Sequence, residues 1–187
     1  RGLGDVYKRQ KYDMPLFIDG ARLGYALTAT GNDVTLEDIA RIADVFYIGG
    51  TKVGAMFGEA VVFTHGNMPK NFVTLVKQHG ALLAKGWLLG VQFDTLFTDD
   101  LYCRIARHAN DAADRIREVL VERGYTLTFD APTNQIFITL DNATSERLQR
   151  NVRLGFMEKA DDTHTVMRIC TSWATTDEQV EQLIALL

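Results

Sequence analysis

Two apolar runs in this chain each end on a charged residue. The run Pro15-Leu16-Phe17-Ile18 gives way to Asp19-Gly20-Ala21-Arg22, and the run Asp44-Val45-Phe46-Tyr47-Ile48 gives way to Gly49-Gly50-Thr51-Lys52-Val53-Gly54. Each reads as a buried strand, and in an open α/β sheet ligands lie in the crevice outside the carboxyl ends of the strands. Taken singly, both charged residues have plain explanations. A lysine in a glycine-flanked turn is most often a solvated charge, and Asp before Gly is a common turn residue. Their pairing on two strand ends suggests pyridoxal phosphate chemistry: an amine to condense with the aldehyde, and a carboxylate to keep the pyridine nitrogen protonated. Glycines at 49, 50 and 54 allow unusual dihedrals and close approach to a ligand. A phosphate loop of the form G-x-x-x-x-G-K-[ST] is excluded, because Thr51 precedes the lysine and the first glycine is absent.

The elements that position this pair follow from periodicity. Residues 1–10 show neither helical nor strand periodicity and are set aside as a non-native leader. After Asp19, Arg22 to Thr30 reads as a short helix with Leu23, Ala26 and Leu27 on one face. Thr35-Leu36-Glu37-Asp38 opens another helix in a capping-box-like arrangement, with Ile39, Ala40 and Ala43 as its apolar face. Strands are expected over 44–48 and 59–64, and the strand-helix-strand order predicts a parallel or mixed α/β sheet. Helix is expected over 69–79 and 81–97, broken at Gly80, Gly86 and Gly90. The clearest helix, over about 99–122, repeats Leu101, Ile105, Ala109, Ala112, Ile116 and Val119 on one face and ends at Gly124. Strands over 126–129, 135–140, 156–159 and 165–171 follow, with a helix over about 144–154 and a last helix opened by the capping box Thr176-Asp177-Glu178-Gln179. A boundary at about Thr98 then separates a large-domain portion, 11–98, from a small α+β domain, 99–187.

Composition narrows the partner. A net charge of −4 and 47% hydrophobic residues describe a folded chain without a basic tract for nucleic acid, so a small molecule is the expected ligand. No run of about 18 apolar residues appears, so no membrane span is expected. Cys103 and Cys170 have no CxxC spacing, which fits a reducing, cytoplasmic compartment, and no metal site is expected. His65, His79, His108 and His164 lack ligand-type partners at helical spacing; His108 reads as solvated, and only His79 is near the predicted site. Trp87 and Trp173 read as packing or subunit contacts. Strand alternation in Val166-Met167-Arg168-Ile169-Cys170 puts Arg168 on a face with Val166 and Cys170, so it is either ion-paired, with Glu158 for example, or placed to take an anion.

Phe17-Ile18-Asp19-Gly20-Ala21-Arg22-Leu23 followed by Tyr47-Ile48-Gly49-Gly50-Thr51-Lys52 resembles the low-specificity L-threonine aldolase and β-eliminating lyase family of fold-type I pyridoxal phosphate enzymes. The resemblance continues through Gly80-Ala81-Leu82-Leu83-Ala84-Lys85-Gly86 and the C-terminal domain. It implies the C-terminal part of a fold-type I large domain, mostly parallel sheet with helices, followed by the small domain. It implies that Lys52 carries the cofactor, that Asp19 pairs with the pyridine nitrogen, and that Arg22 and Thr51 line the cofactor. Arg22 and Arg168 would hold the carboxylate of an amino acid substrate, a bidentate contact that suits guanidinium. The implied reaction cleaves Cα–Cβ of a β-hydroxy amino acid such as L-threonine or L-allo-threonine to glycine and an aldehyde, in a homo-oligomer, dimer or tetramer. Alternatives are a β-eliminating lyase, an aminotransferase, or a non-catalytic scaffold that keeps the fold. Family members carry Ser-Lys-Gly-Leu-Gly at the lysine and a glycine triplet before an Arg-Gln pair. Thr51-Lys52-Val53-Gly54 and the segment 71–79 depart from both, which counts against threonine as the specific substrate. The family's phosphate-binding and ring-stacking segments lie upstream of Pro15, so a large N-terminal part is expected to be missing and the fragment to be inactive.

Overall fold

The strand that delivers Asp19 is shorter and more open than its apolar run suggests. The structure, a computed structural model, describes residues 2–187, and of 2, 3, 5 and 6 the backbone alone. Two units divide the chain: residues up to Leu27 with Asp33–Tyr102, and Thr28–Asn32 with Cys103–Leu187.

The first unit contains, in order, α1 (Gly2–Tyr12), β1 (Phe17–Ile18), α2 (Leu23–Leu27), α3 (Leu36–Ile42), β2 (Val45–Gly49), β3 (Glu59–Phe63), α4 (Phe72–Gln78) and α5 (Trp87–Phe97). Its sheet runs β1-β2-β3, with β1 parallel to β2 and β2 antiparallel to β3. The sheet is therefore mixed. Phe46 and Ile48 of β2 are buried, whereas Phe17 of β1 is 59% exposed. Among the described residues β1 has a neighbour on one side only, so the expectation of a buried strand fails there. Asp44 fixes where the two parallel strands start: its carboxylate accepts from the Leu16 amide (2.8 Å) and its own amide donates to the Leu16 carbonyl (2.9 Å).

Residues 2–12 form a helix, contrary to the absence of periodicity in the sequence. Arg9 on this helix is ion-paired to Asp44 at 2.7 Å. In α2 the buried residues are Leu23, Gly24 and Tyr25, while Ala26 is exposed, so the expected face is displaced. The capping box at α3 forms as expected, with Asp38 taking the role usual for Glu: its amide donates to Thr35 Oγ1 and its carboxylate accepts from the Thr35 amide. Gly80, at φ +69°, ends α4 in a Schellman motif: its amide donates to the Lys77 carbonyl and the Ala81 amide to that of Val76. Residues 81–86 are then loop and turn rather than helix, and Gly90 lies within α5 without breaking it.

The second unit holds most of α6 (Leu101–Glu122), then β4 (Thr126–Leu127), β5 (Gln135–Asp141), α7 (Asn142–Gln149), β6 (Gly155–Lys159), β7 (His164–Cys170) and α8 (Asp177–Leu186). The sheet order is β4-β5-β7-β6, all antiparallel. Alternation along β5 buries Ile136, Ile138 and Leu140 against Ile116 and Leu120 of α6, Met167 and Ile169 of β7, and Val180 of α8. The buried apolar stripe of α6 is Tyr102, Ala106, Ala109, Ala112, Ala113, Ile116 and Leu120. It shares Ala109, Ala112 and Ile116 with the expected face, while Leu101, Ile105 and Val119 are only half-buried and Tyr102, Ala106, Ala113 and Leu120, one position on from expected residues, are buried instead. Gly124 closes α6 in a second Schellman motif, and the Thr176–Gln179 capping box opens α8 as expected.

Tyr102, in the first turn of α6, belongs to the first unit and is 1% exposed. Its hydroxyl accepts from the Gly24 amide (3.1 Å) and donates to the Gly49 carbonyl (2.9 Å). Tyr102→Phe leaves two buried backbone groups without this partner and should cost about 2–4 kcal/mol in urea denaturation; a loss below about 0.5 kcal/mol would contradict the assignment.

Candidate active site

The ends of β1 and β2 meet through two glycines. The Gly49 amide donates to the Gly20 carbonyl at 2.9 Å. A Cβ on Gly20 would lie 1.7 Å from the Tyr47 carbonyl oxygen, and one on Gly49 would lie 2.4 Å from that of Ala21. The close approach that glycine permits here is thus to the protein's own backbone. Gly54 is the residue of this turn with a positive φ, +98°.

This contact places Asp19 against Tyr47. The Tyr47 hydroxyl and the Ala21 amide (3.0 Å) both donate to Asp19 Oδ1. The Tyr47 bond, then the Ala21 bond, hold the Asp19 carboxyl below its ordinary value despite some desolvation, and the positive charges of Lys52 and Arg22 act in the same direction. Conversely, the bond to Asp19 pushes the Tyr47 phenol up to about 12, so it remains a donor.

The lysine turn is held from three sides. Within it, the Val53 and Ala55 amides donate to the Gly50 carbonyl (2.9 and 3.0 Å). On the strand opposite, Glu59 accepts from the Gly50 amide (2.6 Å) and from Thr51 Oγ1 (3.2 Å). From α2, the buried Tyr25 donates its hydroxyl to the Lys52 carbonyl. Val53 is fully buried and anchors the turn, leaving Lys52 half-exposed. Among the described residues the Lys52 amine makes no hydrogen bond or ion pair, and Arg22 Nε is buried without a partner.

The predicted residues Asp19, Arg22, Thr51 and Lys52 therefore lie in one unit at adjoining strand ends. Arg168 lies in the other unit, where it donates to Gln135 Oε1 at 3.2 Å and lines a cleft of about 290 Å³ with Arg153, Thr171, Thr175 and Gln179. Glu158 is not its partner: in the register of β6 and β7, Glu158 faces Val166 while Gly155 faces Arg168. A larger cavity, about 560 Å³, includes Arg123 and Arg147, but both arginines donate to carbonyls at the end of α8. His79 caps α4 through its own Leu75 carbonyl, and His108, although exposed, lies 2.8 Å from the Thr175 carbonyl. Trp87 and Trp173 are 64% and 46% exposed, so neither is packed inside its unit. Among the described residues no group of three or more His, Cys, Asp or Glu is placed to hold a metal ion, and no helix is long and apolar enough to cross a membrane.

Four contributors escape the motif reading: Tyr25, Tyr47, Glu59 and Tyr102. Tyr47 was accessible in principle, since alternation along β2 puts it on the face of Gly49, opposite Phe46 and Ile48.

The fold is that of part of a fold-type I enzyme. No protein-family model matches the chain. A solved threonine aldolase from Leishmania major superposes with a TM-score of 0.92 at 39% identity, over 97% of this chain and 53% of that one. The low-specificity L-threonine aldolase of Pseudomonas aeruginosa is 30% identical over 169 residues, which are 90% of this chain and 48% of that protein. At 18% identity, a serine palmitoyltransferase from Sphingomonas wittichii shares the fold with a TM-score of 0.66, over 97% of this chain and 48% of that one. The chain thus spans about half the length of the aldolases it resembles.

Glu59 should govern the order of the lysine turn. Glu59→Ala is expected to speed exchange of the Gly50 amide about tenfold, the worth of one charge-assisted hydrogen bond; unchanged exchange would remove Glu59 from the site.

Proposed function

We propose that this chain is part of a pyridoxal phosphate-dependent lyase that splits the Cα–Cβ bond of a β-hydroxy amino acid, L-threonine or L-allo-threonine being the first candidates, into glycine and an aldehyde. The reading rests on one observation: at the adjoining ends of two parallel strands, a carboxyl held below its ordinary pKa lies near a lysine that has no hydrogen bond or ion pair among the described residues. The likeness to two threonine aldolases supports it.

The donor set suits the cofactor. Among the described residues no group donates to Asp19 Oδ2, which is left for the ring N–H, and the Lys52 amine makes no hydrogen bond or ion pair. When bound, the cofactor supplies an electrophilic aldehyde and an electron-withdrawing ring. Lys52 would hold the aldehyde carbon, Asp19 would hold the proton on the ring nitrogen, and Thr51 would contact the phosphate or the pyridoxal. Arg22, with its orphaned Nε, would grip and orient the substrate carboxylate, a role also proposed for Arg168 of the other unit. Exposed Leu82, Leu83, Trp87, Leu88 and Val91 support assembly as a homo-oligomer. Because the chain spans about half of its relatives, the 187 residues by themselves are expected to turn over little substrate.

The full-length protein mixed with pyridoxal phosphate should gain a visible absorbance band that Lys52→Ala lacks, and should release acetaldehyde from threonine or allo-threonine. Absence of the band in the wild type would overturn the reading. A band with transamination in place of aldehyde release would reassign the reaction.

A further inference from the structure

Asp19 is not left to orient itself. One of its two carboxylate oxygens, Oδ1, receives both the Tyr47 hydroxyl and the Ala21 amide, while no group among the described residues donates to Oδ2. Tyr47 is itself constrained. It sits in β2, paired with Val61 of β3, half-buried, with its ring centroid 6.1 Å from that of Phe17. The Gly20–Gly49 contact fixes the separation of the two backbones from which Asp19 and Tyr47 project.

We propose that Tyr47 is a positioning residue for the ring-nitrogen contact: by filling Oδ1 together with the Ala21 amide, its hydroxyl commits Oδ2 of Asp19 to the cofactor's N–H. This inference rests on the cofactor reading of the site and adds to it a residue that touches neither substrate nor reacting bond. The hydrogen bond does two things. It removes one rotational choice, so the carboxylate offers a single unengaged oxygen. It also makes the carboxylate a weaker base, so a proton shared with the ring nitrogen stays on the ring. The charged groups that act on the pair are Lys52 and Arg22, which favour ionised Asp19, and Glu59, which with Asp19 disfavours ionisation of Tyr47. Phenylalanine would preserve the ring and its contact with Phe17 and delete the donor alone.

The test compares wild type and Tyr47→Phe in the full-length protein, with thermal unfolding as the control for folding. Without cofactor, carboxyl carbon NMR should show Asp19 titrating at higher pH in Tyr47→Phe than in wild type. With cofactor, fluorescence titration should show pyridoxal phosphate binding about tenfold more weakly in the variant, the loss of one hydrogen bond to a charged group. An Asp19 titration unchanged in a folded Tyr47→Phe protein overturns the inference. If that variant does not fold, the same contact is read from the other side. In Asp19→Asn the Tyr47 phenol, followed by ultraviolet absorbance, should fall from about 12 towards the ordinary tyrosine range, and a phenol that stays put overturns the inference. Failure of the wild type to bind pyridoxal phosphate sinks the cofactor reading itself, whereas binding by wild type and Tyr47→Phe with equal affinity sinks only the role of Tyr47.

Discussion

The backbone contact between Gly20 and Gly49 is the constraint on which the site depends. A hydrogen bond of 2.9 Å joins the two turns, and neither position has space for a Cβ. A side chain at Gly20 would push the end of β1 off the Tyr47 carbonyl and carry Asp19 away from the Tyr47 hydroxyl. A side chain at Gly49 would press on Ala21, whose amide is the other donor to Asp19. The site is therefore assembled by the absence of side chains at two positions, and the charged groups inherit their spacing from it. Around this contact the remaining hydrogen bonds converge: Tyr102 bridges Gly24 and Gly49, Tyr25 reaches the Lys52 carbonyl, and Glu59 takes the Gly50 amide.

Electrostatics follow from that geometry. Two cations, Lys52 and Arg22, and two carboxylates, Asp19 and Glu59, share the strand ends, and each carboxylate is anchored by neutral donors rather than by a cation. Among the described residues the Lys52 amine then makes no hydrogen bond or ion pair, and Arg22 Nε is buried without a partner. An anchored carboxylate with depressed basicity next to an uncommitted amine is the charge pattern that an electron-withdrawing cationic ring requires.

Much of this was legible because it is local. The strand ends bearing Asp19 and Lys52, the two capping boxes, and the glycine that stops α6 are all decided within a few residues. The signals that failed are longer in range or finer in phase. Tyr102 acts on residues 53 and 78 positions away, and no local pattern announces that. The buried stripe of α6 differs from the expected one by about one position, because alanines as well as large apolar residues face the sheet. Residues 81–86 look helical by composition, but the Schellman closure at Gly80 sends the chain into a turn. Strand alternation marks Arg168 as an arginine in need of a partner, and the neighbour it takes is the neutral amide of Gln135 rather than Glu158, because the strand register places Glu158 opposite Val166.

The central claim, that Lys52 is the residue prepared to receive pyridoxal phosphate, is tested most directly by chemical capture. The full-length protein is incubated with pyridoxal phosphate, reduced with borohydride, digested and mapped by mass spectrometry. The account predicts a pyridoxyl mass on the peptide containing Lys52, lost in Lys52→Ala. Label absent from that peptide at saturating cofactor, or spread over other lysines and unchanged in Lys52→Ala, would contradict it.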